Sequence, residues 1–150
     1  MNISSSCISV EDDIDNIIAK LNRWPEKIEP IGIVYKDTPL FIAEACSLTA
    51  LHDGCPTAEV CEYRDLEVEN AQGEKFIVAH ESCKSIVYGK SAFGISQHQN
   101  ILMKHGISKF RIDFLTKKYS EANLHNVLNA IMLRSKVEST HPVNFERVLL

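Results

Sequence analysis

Nowhere in its 150 residues does this sequence hold an apolar run of bilayer-spanning length, so no segment reads as a membrane-crossing helix and no membrane partner is expected. The start, Met1-Asn2-Ile3-Ser4-Ser5-Ser6, also lacks the cationic and continuous apolar regions of a secretory signal. A cytoplasmic protein is the expectation. Excess positive charge is missing too: 16 Lys and Arg stand against 20 Asp and Glu, a formal charge of -4. That balance argues against a broad basic face for nucleic acid, because phosphate contacts need clustered Lys and Arg. Only a local basic patch is left open as a route to such a partner. Aromatic residues are few, at 7%, and no biased tract occurs, yet the 45% hydrophobic and 24% charged residues are those of an ordinary globular domain.

Short catalytic signatures are absent as well. There is no Gly-x-Ser-x-Gly and no His-Glu-x-x-His, and His80-Glu81 is too short a fragment of the latter to count. No nucleophile with its base, and no open metal site with a nearby carboxylate, is visible. Internal repeats, hinge-like linkers and Cys-x2-Cys knuckles are missing too.

What is present is patterned. Residues 1–9 read as a flexible Ser-rich leader and include Cys7, which is treated as incidental. The spacing of Ile14, Ile17, Ile18 and Leu21 predicts a helix over Val10 to Trp24, with Glu11, Asp12 and Asp13 at the end where the dipole favours anions. Strands are expected over Ile28 to Tyr35 and in the extended run Leu40 to Ala45. Ser47 to Glu62 has no sustained period and is read as an irregular loop. A hairpin follows, Asp65 to Glu69 and Lys75 to Ala79, around Asn70-Ala71-Gln72-Gly73, and then a short strand, Ser85 to Tyr88. Gln97 to His105 is expected to be helical and to end at Gly106, ahead of a strand from Ile107 to Leu115. The clearest helix is Tyr119 to Leu133, capped by Ser120, with Leu124, Val127, Leu128, Ile131 and Met132 as its core stripe. Residues 10–135 form the expected domain, and 136–150 a tail that packs on a barrel or a partner. This order suggests an α/β protein built on a βα barrel or open parallel sheet.

Four cysteines stand as Cys46-x8-Cys55-x5-Cys61-x21-Cys83. Three lie in the irregular loop, and the hairpin returns the fourth towards them. In a reducing cytosol such thiols are core residues, metal ligands or nucleophiles more often than disulfide partners. Four thiolates suit tetrahedral zinc or a cubane iron-sulfur cluster, and the wide spacing favours the larger footprint of the cluster. The spacing alone leaves a metal site level with four unlinked buried thiols. His52, between two of the cysteines, is a lesser ligand candidate, and a solvated loop histidine is the plainer reading.

Several segments resemble the later part of the U32 collagenase-like peptidase family. They are Pro39-Leu40-Phe41-Ile42 running to Cys46, Leu66 to Val78 with Gly73-Glu74-Lys75-Phe76-Ile77-Val78, Cys83-Lys84-Ser85-Ile86-Val87-Tyr88, and Gly106 to Phe114, in the family's order. The likeness spans Ile28 to Leu133. It implies the C-terminal portion of a TIM-like barrel with an inserted β-hairpin and cysteine-rich loop. It also implies a four-iron four-sulfur cluster on Cys46, Cys55, Cys61 and Cys83, with peptidase or RNA- or quinone-hydroxylation-linked activity. A full barrel needs about 250 residues, so the chain is read as a fragment or short member. The stretch before Cys46 lacks the further Cys of the family's best-known signature, and Phe41 stands in that neighbourhood.

Arg111 and Asp113 alternate on one side of the late strand and are the candidates for substrate contacts; a structural ion pair is the plainer reading. Arg64 and Lys84 flank cysteines and would offset the charge of a thiolate-ligated cluster. His80 is a candidate for the outer shell of the centre, and a surface hairpin histidine is the plainer reading. Two alternatives to the iron-sulfur reading are a non-enzymatic zinc-stabilised interaction domain and an inactive barrel remnant that needs a partner chain to complete it.

Overall fold

The computed structural model describes residues 3–9, 11–55, 65–81, 83–115, 118–142 and 145–146. In chain order these form β1 (Ser5–Cys7), α1 (Ile14–Leu21), β2 (Glu29–Lys36), β3 (Pro39–Ala43), α2 (Ser47–Leu51), β4 (Leu66–Glu69), β5 (Lys75–Glu81) and β6 (Lys84–Gly89). There follow β7 (Ala92–Gly94), a 3-10 turn (Ser96–His98), α3 (Gln99–Lys104), β8 (Lys109–Asp113), α4 (Glu121–Met132) and β9 (Thr140–His141). The chain divides into two units: Met1–Asp37 with Ser91–Leu150, and Thr38–Lys90. The second is an insertion in the sequence of the first.

In the first unit β2 is paired along both edges. β1 runs parallel to its first half, with Cys7 opposite Ile31, and β7 runs antiparallel to its second half, with Gly94 opposite Tyr35. β8 lies parallel along the other edge, placing Lys109 opposite Ile31 and Ile112 opposite Tyr35. β9 extends the sheet parallel to β7. There Thr140 occupies the space a Cβ on Gly94 would need, only 2.7 Å away, so this strand contact requires glycine.

Helix ends follow the sequence chemistry. Asp13 caps α1 by accepting the Asn16 N–H at 2.8 Å, and Ser120 caps α4 by accepting the Asn123 N–H at 3.2 Å. The buried residues Ile17 of α1, Leu102 of α3, and Val127 and Ile131 of α4 enter one core with Val34, Tyr35, Phe93 and Phe145. Each such side chain contributes about 1.5–3 kcal/mol by leaving water. The core stripe expected on α4 is narrower than its apolar pattern: Leu128 is 38% and Met132 80% exposed. Only the arc through Val127 and Ile131 meets the sheet.

The second unit is an antiparallel sheet in the order β3-β6-β5-β4, the Greek-key arrangement of three consecutive strands with the first strand returning beside the last. The expected hairpin is present as β4 and β5. Its turn is held by the Asn70 side-chain oxygen, which accepts the Gln72 and Glu74 N–H groups at 3.0 and 2.9 Å, and Gly73 supplies φ +78.

Several expectations change. The leader contributes β1, because Ser5–Cys7 extends the β2 ladder, and the tail contributes β9 and the buried Phe145. The loop after Cys46 begins as a helical turn, α2, with Leu48 buried on one side. The molecule is mixed α/β, as expected, but the described strands close no barrel. The chain leaves β2 for the insertion and comes back as β7, which is antiparallel to β2 and interrupts the parallel order. Among the described residues no helix is long and apolar enough to cross a membrane.

Candidate metal centre

Strand β3 pairs with β6, Ala43 lying opposite Ser85, and this ladder delivers the chain to Cys46 beside the hairpin that carries Cys83. Cys46 is the cap residue of α2, with extended backbone at φ -78, and is half-buried. Partial desolvation pushes its thiol upward, but the Thr49 and Leu48 N–H groups and the Thr49 hydroxyl favour the thiolate. Their effect prevails and holds the Cys46 thiol below its ordinary value. The same backbone closes the turn, Thr49 N–H donating to the Cys46 carbonyl at 3.1 Å.

Cys83 sits in the tight turn between β5 and β6, where Glu81 and Lys84 pair, and adopts φ +63. A left-handed conformation at such a turn favours Gly or Asn, and an ordinary side chain there costs about 1–2 kcal/mol. Cys55 follows α2 after Asp53 and Gly54, both at positive φ, and is exposed. Cys61 and Arg64 lie outside the described residues.

Cys46, Cys55 and Cys83 are free thiols, the donor chemistry that a soft-ligand centre requires. Among the described residues, however, no three or more His, Cys, Asp or Glu side chains converge on a common point. The donor types fit a thiolate-bound metal, but the three described cysteines do not come together as a site. His52 is exposed and closes α2, its N–H donating to the Leu48 carbonyl at 3.0 Å. Lys84 pairs with Glu44 at 2.9 Å.

One grouping is invisible in the sequence. The Ser47 Oγ lies 2.7 Å from His80 Nε2, the Ser47 N–H donates to the Ser85 Oγ at 2.8 Å, and the Ser85 hydroxyl donates to the Ser47 Oγ at 3.2 Å. Ser47 and His80 are 33 positions apart, so no local motif announces them; only the β3-β6-β5 order joins them.

Arg111 and Asp113 belong to the other unit. The Arg111 Nε donates to the Asp113 Oδ1 at 2.5 Å, and its Nη1 lies 3.8 Å from the Cys7 sulfur across β2. Asp113 is buried at the end of β8, next to Asp37, which is 1% exposed. The Tyr119 hydroxyl donates to Asp37 at 2.7 Å and the Leu115 N–H donates to it at 3.2 Å, while the Tyr35 hydroxyl lies 3.1 Å from that of Tyr119. Asp37 is buried just beyond the end of β2.

The fold and the thiols thus define a mixed α/β protein with a cysteine-bearing antiparallel insertion. No family model, curated protein or solved structure matches the chain.

Proposed function

We propose that the protein is a thiolate metalloprotein in which Cys46, Cys55, Cys61 and Cys83 hold a four-iron four-sulfur cluster. The observation that carries this reading is the direct tie between the Cys46 and Cys83 segments, both bearing free thiols, through the Ala43–Ser85 pair and the bond from the Ser47 N–H to the Ser85 Oγ. The thiolate-favouring donors at Cys46 and the strained backbone at Cys83 add to it. The ordered resemblance to the U32 family favours iron and sulfur over zinc. It also favours a short member or fragment of that family, the later part of a TIM-like barrel, with peptidase or RNA- or quinone-hydroxylation-linked activity in the cytoplasm. A partner chain completing the barrel would have the outer edge of β8 to pair with, since β8 pairs only with β2 among the described strands.

Anaerobic purification followed by iron and acid-labile sulfide analysis tests the reading. The expected result is iron and sulfide in equal amounts. Stoichiometric zinc without sulfide would replace the cluster by a zinc-stabilised interaction domain, a reading the separate four-stranded insertion also accommodates. A protein without bound metal would overturn both.

A further inference from the structure

A strand at the end of a sheet leaves half of its N–H and C=O groups unpaired, and folded proteins blunt such edges with charged or polar side chains because another strand otherwise adds there. Among the described strands the sheet ends follow this rule with one exception. β1 (Ser5, Ser6, Cys7) and β9 (Thr140, His141) are polar, β8 alternates Lys109, Arg111 and Asp113, and β4 carries Glu67 and Glu69. β3 ends the insertion sheet with Pro39, Leu40, Phe41, Ile42 and Ala43, neither charged nor polar. Leu40, Phe41 and Ile42 are 53%, 57% and 56% exposed, and successive strand residues point to opposite faces, so β3 is wet on both. Pro39 and the register shift before Phe41 blunt only the start of the strand; Phe41 to Ala43 pair regularly with Val87 to Ser85. The three side chains expose roughly 300 Å2 of apolar surface, as much as the largest patch of an ordinary monomer. Two such patches, with the strand backbones between them, reach the low end of specific interfaces, about 1,000–1,200 Å2.

We infer that β3 is the interface for a second copy of this chain: two β3 strands pair antiparallel about a two-fold axis at Phe41 and join the two insertion sheets into one. Charge selects this occupant over the other pairings of the same sheet. Centred on Phe41, each Leu40 stands opposite the second copy's Ile42, and each exposed Glu44 opposite the second copy's Thr38, so no like charges meet. Lys84 compensates Glu44 within its own copy. Pairing β4 with β4 about Val68 would instead set Glu67 against Glu69 on both sides of the axis, where the carboxylates repel. Pairing β3 with β4 is head-to-tail and leaves a free edge on every copy added, an open fibre that a chain of net charge -4 resists. The two-fold pair closes, satisfies the outward N–H and C=O groups of β3, and takes its apolar side chains out of water.

Sedimentation equilibrium of the full-length chain over a wide concentration range tests this, with reductant present so that the exposed Cys7 and Cys55 thiols cannot cross-link copies. The wild type is expected to pass from monomer to dimer and no further. Phe41→Lys sets two ammonium groups against each other at the axis and is expected to weaken the dimer about tenfold or more, as is Phe41→Glu with its two carboxylates. An equimolar mixture of the two variants is expected to recover the dimer, because only an axis through Phe41 brings the two new charges together. Phe41 is largely exposed, so both variants are expected to fold, and circular dichroism checks each; if one does not, Ile42→Lys takes its place and is expected to weaken the dimer similarly. A mixture that stays monomeric moves the axis off Phe41 and overturns the proposal. A dimer that Phe41→Lys and Ile42→Lys leave unchanged lies elsewhere and overturns it too. A wild type that stays monomeric overturns it, also where that monomer binds a labelled apolar strand peptide, which gives the edge to a foreign chain. Mass growing past the dimer replaces the two-fold pair by open β3–β4 pairing and overturns it as well.

Discussion

Cys83 holds a backbone conformation, φ +63, that an ordinary side chain adopts only at a cost. Glycine adopts it freely, so the residue is a trade between local stability and the sulfur it presents. Replacing Cys83 by Gly is expected to leave the metal-free chain as stable as the wild type or up to ~1 kcal/mol more stable. The same change is expected to reduce bound metal at least tenfold. Urea unfolding of the apo chain and metal analysis of the purified variant check the two halves. Undiminished metal content would remove Cys83 from the ligand set. Cys46 shows the complementary situation: its extended backbone is unstrained, and the nearby N–H donors already favour the thiolate.

Where β2 and β8 end, Asp37 and Tyr119 join the strand ends to the segment that leads into α4. Burial pushes the Tyr119 phenol well above its ordinary value of about 10, and its bonds to Asp37 and Tyr35 add to the shift. Burial raises Tyr35 as well. The folded chain therefore keeps protons that the unfolded chain loses above about pH 10, so the stability these phenols support is complete below that pH and declines as it is exceeded. Tyr119→Phe takes a donor from a buried carboxylate and is expected to cost about 1–3 kcal/mol near neutral pH. It should also make stability less steeply dependent on pH above 10, with Tyr35 leaving a residual slope. Urea midpoints for both chains from pH 7 to 11 measure this, and an unchanged alkaline slope in the variant would refute the account. The neighbouring rings, with Phe114 centred 4.7 Å from Tyr119, explain why the site is dry enough for the shift.

On the scale of the whole molecule, Thr38–Lys90 has its own sheet and is entered and left between β2 and β7. A metal held by cysteines within that insertion stabilises whatever part of the chain supplies its ligands. Removing it with a chelator is expected to speed amide hydrogen exchange across β3, β5 and β6. Amides of β2, β8 and α4 should keep their protection. Exchange mapped by mass spectrometry before and after chelation checks this, and a loss spread evenly over both units would contradict a centre confined to the insertion. The first unit has an independent reason to persist: its helices α1, α3 and α4 bury side chains in one core without any residue of the insertion.

Local chemistry alone determined much of this protein. The hairpin around Asn70 and Gly73, the Asp13 and Ser120 caps, the stop at Gly106 and the strand β2 were legible because each depends on neighbours within a few residues. The four cysteines were visible as a set for the same reason, although their number and spacing left a metal centre level with buried thiols. Tertiary structure decided the rest. A 3.6-residue period marks an apolar stripe on α4, but only packing against the sheet selects Val127 and Ile131 and leaves Met132 in water. The strand status of Ser5–Cys7, the return of β7 antiparallel to β2, and the meeting of Ser47 with His80 and Ser85 all depend on pairings between distant positions. Such pairings are set by whole-chain packing and leave no periodic trace in either partner.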